Sequence, residues 1–217
     1  MEASLSSLST LSEYWDNVYE HKNDNVSWFQ HKPQLSLDLI SSVDIQKSDA
    51  IIDVGGGTSS LVDWLLVEGY QDITVLDISK TAIERTKQRL EHKQQTVGVH
   101  FEVANITEYD SNNKYFHVWH DRAVFHFLTD PTDRAKYVSV LKKCMYPGGV
   151  LVMGTFAVGG PQLCSGMNIV QYDAQKMQNE LGVDFDFIIE YFETHITPWG
   201  SEQSFWYGVF RFRSQLL

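Results

Sequence analysis

The stretch Ala50-Ile51-Ile52-Asp53-Val54-Gly55-Gly56-Gly57-Thr58-Ser59-Ser60 decides how the chain is read. An apolar, β-branched run stops at three consecutive glycines. Leu61, Trp64, Leu65 and Val67 then recur at the spacing a helix turns inward, within Ser60 to Glu68. Three glycines between strand and helix allow positive φ and let a ligand lie against bare backbone. The spacing is not that of a dinucleotide fingerprint, because position 60 is Ser60 rather than glycine. No Lys-Ser/Thr follows the glycines, which also weakens a phosphate-loop reading.

Outward from this loop the alternation repeats. Ile73 to Asp77 predicts a strand and Lys80 to His92 a polar-faced helix; Val99 to Ala104 and Tyr115 to His120 predict two more strands. Asp133 to Met145 predicts a helix, preceded by Pro131 and closed by Pro147-Gly148-Gly149. Val150 to Phe156 reads as a fifth strand and Asp173 to Leu181 as a helix ended by Gly182. Phe185 to Ile196 and Ser204 to Arg213 are final strands with no helix between. Such an order implies a mostly parallel sheet with helices on both faces and one antiparallel strand. Ligands bind such sheets over the carboxyl ends of the strands. The loops to inspect therefore follow Val54, Leu76, Ala104, His120 and Phe156.

Composition bounds the function. The 217 residues carry 17 Lys+Arg against 28 Asp+Glu, a net charge of −11 that argues against a nucleic-acid partner. The chain is one domain's worth, with 43% apolar residues. Its two cysteines, Cys144 and Cys164, suit a reducing compartment. Nothing resembles a signal or transit peptide, and no apolar run is long enough to span a bilayer, so the expectation is a cytoplasmic protein with no membrane partner.

Two further strand ends complete a cofactor constellation. Asp77 is a carboxylate about twenty residues beyond the glycines, able to accept both hydroxyls of a ribose. Asn105-Ile106 can offer a polar side chain and a backbone amide to an adenine edge, with Ile78 and Ile106 as apolar walls. The run DVGGGTSS, Asp77, the Asn105-Ile106 pair and the closing strand pair together resemble class I S-adenosylmethionine-dependent methyltransferases, from Ala50 to Arg213. The resemblance implies a three-layer α/β, Rossmann-like sheet of seven strands with the last antiparallel. It also implies S-adenosylmethionine as cofactor and S-adenosylhomocysteine as product. Gly55 and Gly57, with Gly56 between them, would approach the amino-acid part of the cofactor, Asp77 the ribose, and Asn105 with Ile106 the adenine. Asp53 and His120 count with the same site, and Asn105 stands where the family usually has Asp.

Residues 1–45 precede a core of 46–217 within one domain. They carry Tyr14-Trp15-Asp16-Asn17-Val18-Tyr19, Ser27-Trp28-Phe29 and Pro33 to Ile40, read as two short helices forming a lid. Trp28 or Trp15 would stack near the sulfonium or exclude water, since aromatic faces attract cations. The layout from His120-Asp121-Arg122 through Arg134, Tyr137 and Gly160-Pro161 is similar to the thiopurine methyltransferase-like group, which acts on small soft nucleophiles.

Asp121 and His126 are the proton acceptors of the fourth loop and the candidate catalytic residues. His126 has packing and substrate orientation as alternatives to base catalysis, and Asp121 has binding to Arg122 or to a helix amino end. The glycine-rich loop Gly159 to Gly166 would cover the acceptor, with Cys164 a plain loop thiol and Trp199 on the same rim. No metal site is expected. The expected acceptor is a small molecule, the chain acting as a monomer or weak homodimer. A protein lysine methyltransferase is the alternative, and a non-catalytic cofactor-binding partner subunit the third reading.

Overall fold

A computed structural model describes residues 8–22 and 26–213. Helices α1 (Leu8–Lys22) and α2 (Gln34–Ser42) come first. Then follow β1 (Ile51–Val54), α3 (Leu61–Val67), β2 (Ile73–Asp77), α4 (Lys80–His92), β3 (Val99–Val103), β4 (Phe116–Arg122) and α5 (Pro131–Cys144). The chain continues through β5 (Met145–Phe156), β6 (Leu163–Cys164), β7 (Met167–Asn168), α6 (Ala174–Leu181), β8 (Phe185–Ile196) and β9 (Glu202–Phe212).

Seven strands form one sheet in the order β3-β2-β1-β4-β5-β9-β8. The first five are mutually parallel; β9 is antiparallel to β5 and to β8, so six strands run one way and β9 the other. The expected three-layer sheet with its last strand reversed is therefore the observed one. Both β1 and β2 are buried throughout, which is why their sequences are nearly continuous in apolar residues.

Side-chain alternation divides the core in two. Val54, Trp119, Leu151, Met153 and Trp206 face the layer of α5 and α6, where Tyr137, Leu141, Met177 and Leu181 are buried. Ile51, Val75, Val118, Val152, Phe205 and Tyr207 face the opposite layer, against Leu37, Ile40, Leu61, Leu65 and Ile83. Strand period two enforces this split, since neighbouring residues of one strand must point to opposite faces.

Three boundaries differ from expectation. Helix α5 starts earlier, at Pro131, because Asp130 caps it by accepting from Thr132 N–H at 2.7 Å. Pro147-Gly148-Gly149 is not a loop after the helix. The chain enters β5 directly at Met145, pairing with Phe116, and the Pro-Gly-Gly residues form a register shift before Val150 pairs with Val118. Proline disfavours helix at the residue before it, and Gly148 takes a φ of 84°, so the segment ends the helix while tolerating a bulged strand. Finally, β4 continues two residues past His120, which sets where Asp121 and Arg122 point.

The Gly159 to Gly166 loop contains half of a small hairpin, β6–β7. At the β8–β9 turn, where the rim was expected to include Trp199, this residue is 58% exposed.

Candidate active site

The carboxyl ends of β1, β2 and β4 converge beneath α1. After Val54, Gly55 and Gly57 take φ values of 65° and 50°, conformations that a side chain strains. A Cβ on Gly55 would collide with Val124, and one on Gly57 with the Tyr19 hydroxyl; a Cβ on Gly56 would stand 2.9 Å from Asp53 Oδ2. Helix α4 holds the loop from outside. Thr86 Oγ1 donates to Gly57 O at 2.7 Å, and Arg89 donates to Thr58 O at 3.0 Å and Ser59 O at 2.6 Å.

Asp77 closes β2 next to this loop. Its Oδ1 accepts from Ser79 N–H at 2.8 Å, and it makes no ion pair among the described residues. Burial pushes its carboxyl up to about 7; the amides of Ser79 and Gly57 pull the other way, and the anions Asp53 and Asp16 add to the rise. A buried carboxylate short of donors beside a glycine cradle suits a ligand that brings hydroxyl groups. Asn105 and Ile106 follow at the end of β3, where Ala104 N–H donates to Asp77 O at 3.0 Å. The Asn105 amide oxygen accepts from Thr107 N–H at 3.1 Å, capping a short 3-10 turn, and Ile106 is buried. Ile78 is half-buried and its carbonyl accepts from Ser12 Oγ at 3.1 Å.

Asp53 and His120 are register partners on β1 and β4. Asp53 Oδ1 lies 2.7 Å from His120 Nδ1, and His120 Nε2 lies 2.9 Å from Ser36 Oγ, so the histidine ring is held at both nitrogens. A cavity of about 40 Å³ lies beside this pair, lined in part by Trp28, Asp53, Gly55, His120 and Arg122.

Helix α1 is tied across these strand ends. Asp16 Oδ1 accepts from Ser79 Oγ at 2.6 Å and Thr81 N–H at 2.9 Å, Arg85 donates to Tyr19 O, and Tyr14 Oη donates to Ser165 O on the hairpin loop. Trp15 stands edge-on to Trp28 at 5.8 Å and to Phe127 at 5.2 Å.

Comparison with known proteins agrees with this geometry. A family model described as a methyltransferase domain matches residues 52–151, from the middle of β1 into β5. The chain is 25% identical over 155 residues to EEF1A lysine methyltransferase 2 of Danio rerio, covering 65% of this chain and 66% of that protein. It is 28% identical over 142 residues to the ubiquinone/menaquinone biosynthesis C-methyltransferase UbiE of Francisella philomiragia, covering 64% of this chain and 55% of that protein. Less than two thirds of each relative's length is thus spanned. Among solved structures, the Burkholderia thailandensis 1,6-didemethyltoxoflavin-N1-methyltransferase, with S-adenosylhomocysteine bound, superposes with a TM-score of 0.71 at 13% identity, over 99% of this chain and 94% of that one.

Residues 52–151 thus match a methyltransferase domain, and the whole sheet has the class I, Rossmann-like methyltransferase fold.

Within this fold the two candidate proton acceptors have their hydrogen-bond partners outside the glycine loop. Asp121 shares a strand with His120 and Arg122 but points to the other face. Its carboxylate accepts from Val124 N–H at 2.9 Å, Phe125 N–H at 3.2 Å and Tyr137 Oη at 2.6 Å, in the α5 layer. Burial raises its carboxyl to about 6 against the pull of those hydrogen bonds. The two amides are those of Val124, which precedes the 3-10 turn Phe125–Phe127, and of Phe125, its first residue, so Asp121 sits at the amino end of that turn.

His126, on that turn, is fully buried between Phe127 and Phe156, at ring distances of 4.5 and 5.0 Å. Phe156 N–H donates to its Nδ1 at 3.4 Å. Burial and then the nearby Arg122 charge push the imidazole down to about 3. Cys164 is buried and its thiol is pushed up to about 12 by burial, against a smaller pull from Arg122.

Sequence reasoning missed Ser36, the partner of His120, and the placement of Tyr19 against the glycine loop. Tyr19 is fully buried, and burial and the Asp77 carboxylate raise its phenol well above the usual value. No local signal marks either residue. Arg122, expected beyond the end of the fourth strand at His120, takes its position on the His120 face because β4 reaches it.

Proposed function

We propose that this methyltransferase acts on a small-molecule acceptor held beneath α1. The lid supports the reading: α1 is bonded to the start of α4 and to the β6–β7 hairpin loop, across the strand ends that carry the glycine loop and Asp77. A protein acceptor needs a channel that stays open to a neighbouring chain, whereas a small molecule can be enclosed and shielded from water.

In this reading the Gly55-Gly56-Gly57 backbone holds the amino-acid part of the cofactor, Asp77 accepts the ribose hydroxyls, and Asn105 with Ile78 and Ile106 receives the adenine. The bound cofactor supplies an electrophilic methyl group on a sulfonium. Trp28 and Trp15 exclude water around that charge, and the Asp53–His120–Ser36 chain fixes the floor of the site. His126 orients rather than deprotonates, because an imidazole pushed down to about 3 is a poor proton acceptor at neutral pH. Asp121 is a positioning residue that fixes the loop after β4. Catalysis then rests mainly on alignment of acceptor and methyl group, to which orientation contributes about 7–11 kcal/mol in favourable cases.

One observation favours a second reading, a protein lysine acceptor: the Danio rerio relative is named a lysine methyltransferase. A labelled-methyl assay against fractionated metabolites and against cell lysate separates the two. Label in the small-molecule fraction is expected, and label confined to protein would overturn the proposal.

A further inference from the structure

Strand β8 is an outer edge of the sheet, and among the described residues β9 alone pairs with its backbone. One row of its N–H and C=O groups therefore faces outward with no strand beside it. The register to β9 shifts between Phe187 and Ile189. From Ile189 to Ile196 it runs unbroken, which gives about 26 Å of regular edge.

Folded proteins commonly guard such an edge with charge or proline. The opposite edge, β3, is only five residues long and carries His100 and Glu102. Strand β8 is longer and its acids are bonded back to their own chain. Asp186 pairs with Arg213, Glu190 Oε2 accepts from Trp206 Nε1 at 2.7 Å, and Glu193 accepts from Gln30 Nε2 at 3.0 Å and Tyr207 Oη at 3.3 Å. Apolar side chains face the solvent instead: Phe187, Ile188, Ile189, Tyr191, Phe192 and Ile196 are each 40–69% exposed. At roughly 150–250 Å² for a large side chain, that exposure comes to about 500 Å². It falls within the ~300–600 Å² of the largest apolar patch on a typical monomer, a patch that is often functional. With the paired backbone added, two copies of this edge reach the ~1,200 Å² at which specific interfaces begin.

We propose that β8 is a dimerisation edge, pairing antiparallel with β8 of a second copy so that two seven-stranded sheets become one continuous sheet. A two-fold axis lets one strand serve as its own partner, because it sets residue i against j and j against i. The outward N–H and C=O groups then satisfy one another, and the exposed apolar residues meet as cross-strand pairs on both faces. Assembly stops at two copies, since neither β8 has a further free side.

The test is sedimentation equilibrium of the full chain over about 1 to 200 µM, with hydrogen exchange of the β8 amides at both ends of that range. A monomer–dimer equilibrium is expected, with exchange over Ile189–Ile196 slowed where the dimer predominates. Phe192→Glu should raise the dimer dissociation constant at least about tenfold. Ile196→Lys should do the same although it lowers the net negative charge, and it carries the test if Phe192→Glu fails to fold by circular dichroism. Val97→Glu makes the same charge change at an exposed site just before β3, at the other end of the sheet, and should leave the equilibrium unmoved. A chain that stays monomeric throughout overturns the proposal, as does assembly beyond two copies. A dimer that both β8 variants leave intact, or one whose β8 amides exchange as fast as in the monomer, overturns it as well.

Discussion

Replacing Asp77 by Asn should stabilise the protein and weaken its cofactor binding at once. In the folded chain, burial holds the Asp77 carboxyl up to about 7 against 3.8 for the free group. Between those two values the folded state binds a proton that the unfolded state has lost, so stability falls as pH rises through that window. Above pH 7 the accumulated cost is about 4 kcal/mol, and below pH 4 it vanishes. Asn carries no charge and escapes this cost, but it has one acceptor oxygen for the Ser79 and Gly57 amides, which returns about 1 kcal/mol. The net gain of about 2–4 kcal/mol corresponds to a rise in melting temperature of roughly 5–10 °C for a chain of this size at pH 8. The gap to wild type should close as the pH is lowered towards 4. The same substitution removes the charge that strengthens ribose hydrogen bonds, and S-adenosylhomocysteine affinity should drop at least about tenfold. Differential scanning calorimetry from pH 4 to 8, with titration calorimetry at pH 8, reads both effects. An Asn variant no more stable than wild type at pH 8, or a stability gap that does not change with pH, would refute the argument from burial; unchanged cofactor affinity would refute the ribose assignment.

Other perturbations separate site from scaffold. Asp121→Ala leaves two amides and the Tyr137 hydroxyl without their acceptor and should destabilise by about 2–4 kcal/mol in urea unfolding, with S-adenosylhomocysteine affinity of the folded protein within about twofold of wild type. A large loss of affinity at unchanged stability would return Asp121 to the site. Gly57→Ala forces a side chain onto a φ of 50° and against Tyr19, so both stability, by about 1 kcal/mol or more, and cofactor affinity should fall; a variant binding like wild type would remove the cradle from the cofactor path. For His126, the unfolded chain takes up a proton below pH 6.5 that the folded imidazole, pushed down to about 3, refuses, so wild-type stability falls as pH drops. His126→Phe should abolish that contribution, narrowing the loss between pH 6.5 and 5 by roughly 2 kcal/mol in urea midpoints. Identical losses in both proteins would contradict a buried, neutral His126.

Much of the fold is legible along the chain because the parallel strands are buried on both faces and their segments are therefore uniformly apolar and β-branched. The errors occur where a local pattern has two tertiary outcomes. Pro147-Gly148-Gly149 stops a helix equally well as a loop or as a bulge, and only pairing of Met145 with Phe116 selects the bulge. Asp121 sits among His120, Arg122 and His126 in sequence, yet parity turns it to the α5 layer once β4 is extended by two residues past its expected end.

Sequence alone determined the order of strands and helices, the glycine turn after β1 and the carboxylate at the end of β2, because backbone freedom and side-chain period act over a few residues. Only the tertiary structure decided what surrounds them. Ser36 reaches His120 across 84 positions and Asp16 reaches Ser79 across 63. Tyr19 closes on Gly57 and Asp77, and Arg122 ties Trp28 of the amino segment to Tyr207 and Glu193 of the last two strands. Such contacts depend on packing of distant elements against the sheet, and no local rule of spacing encodes them.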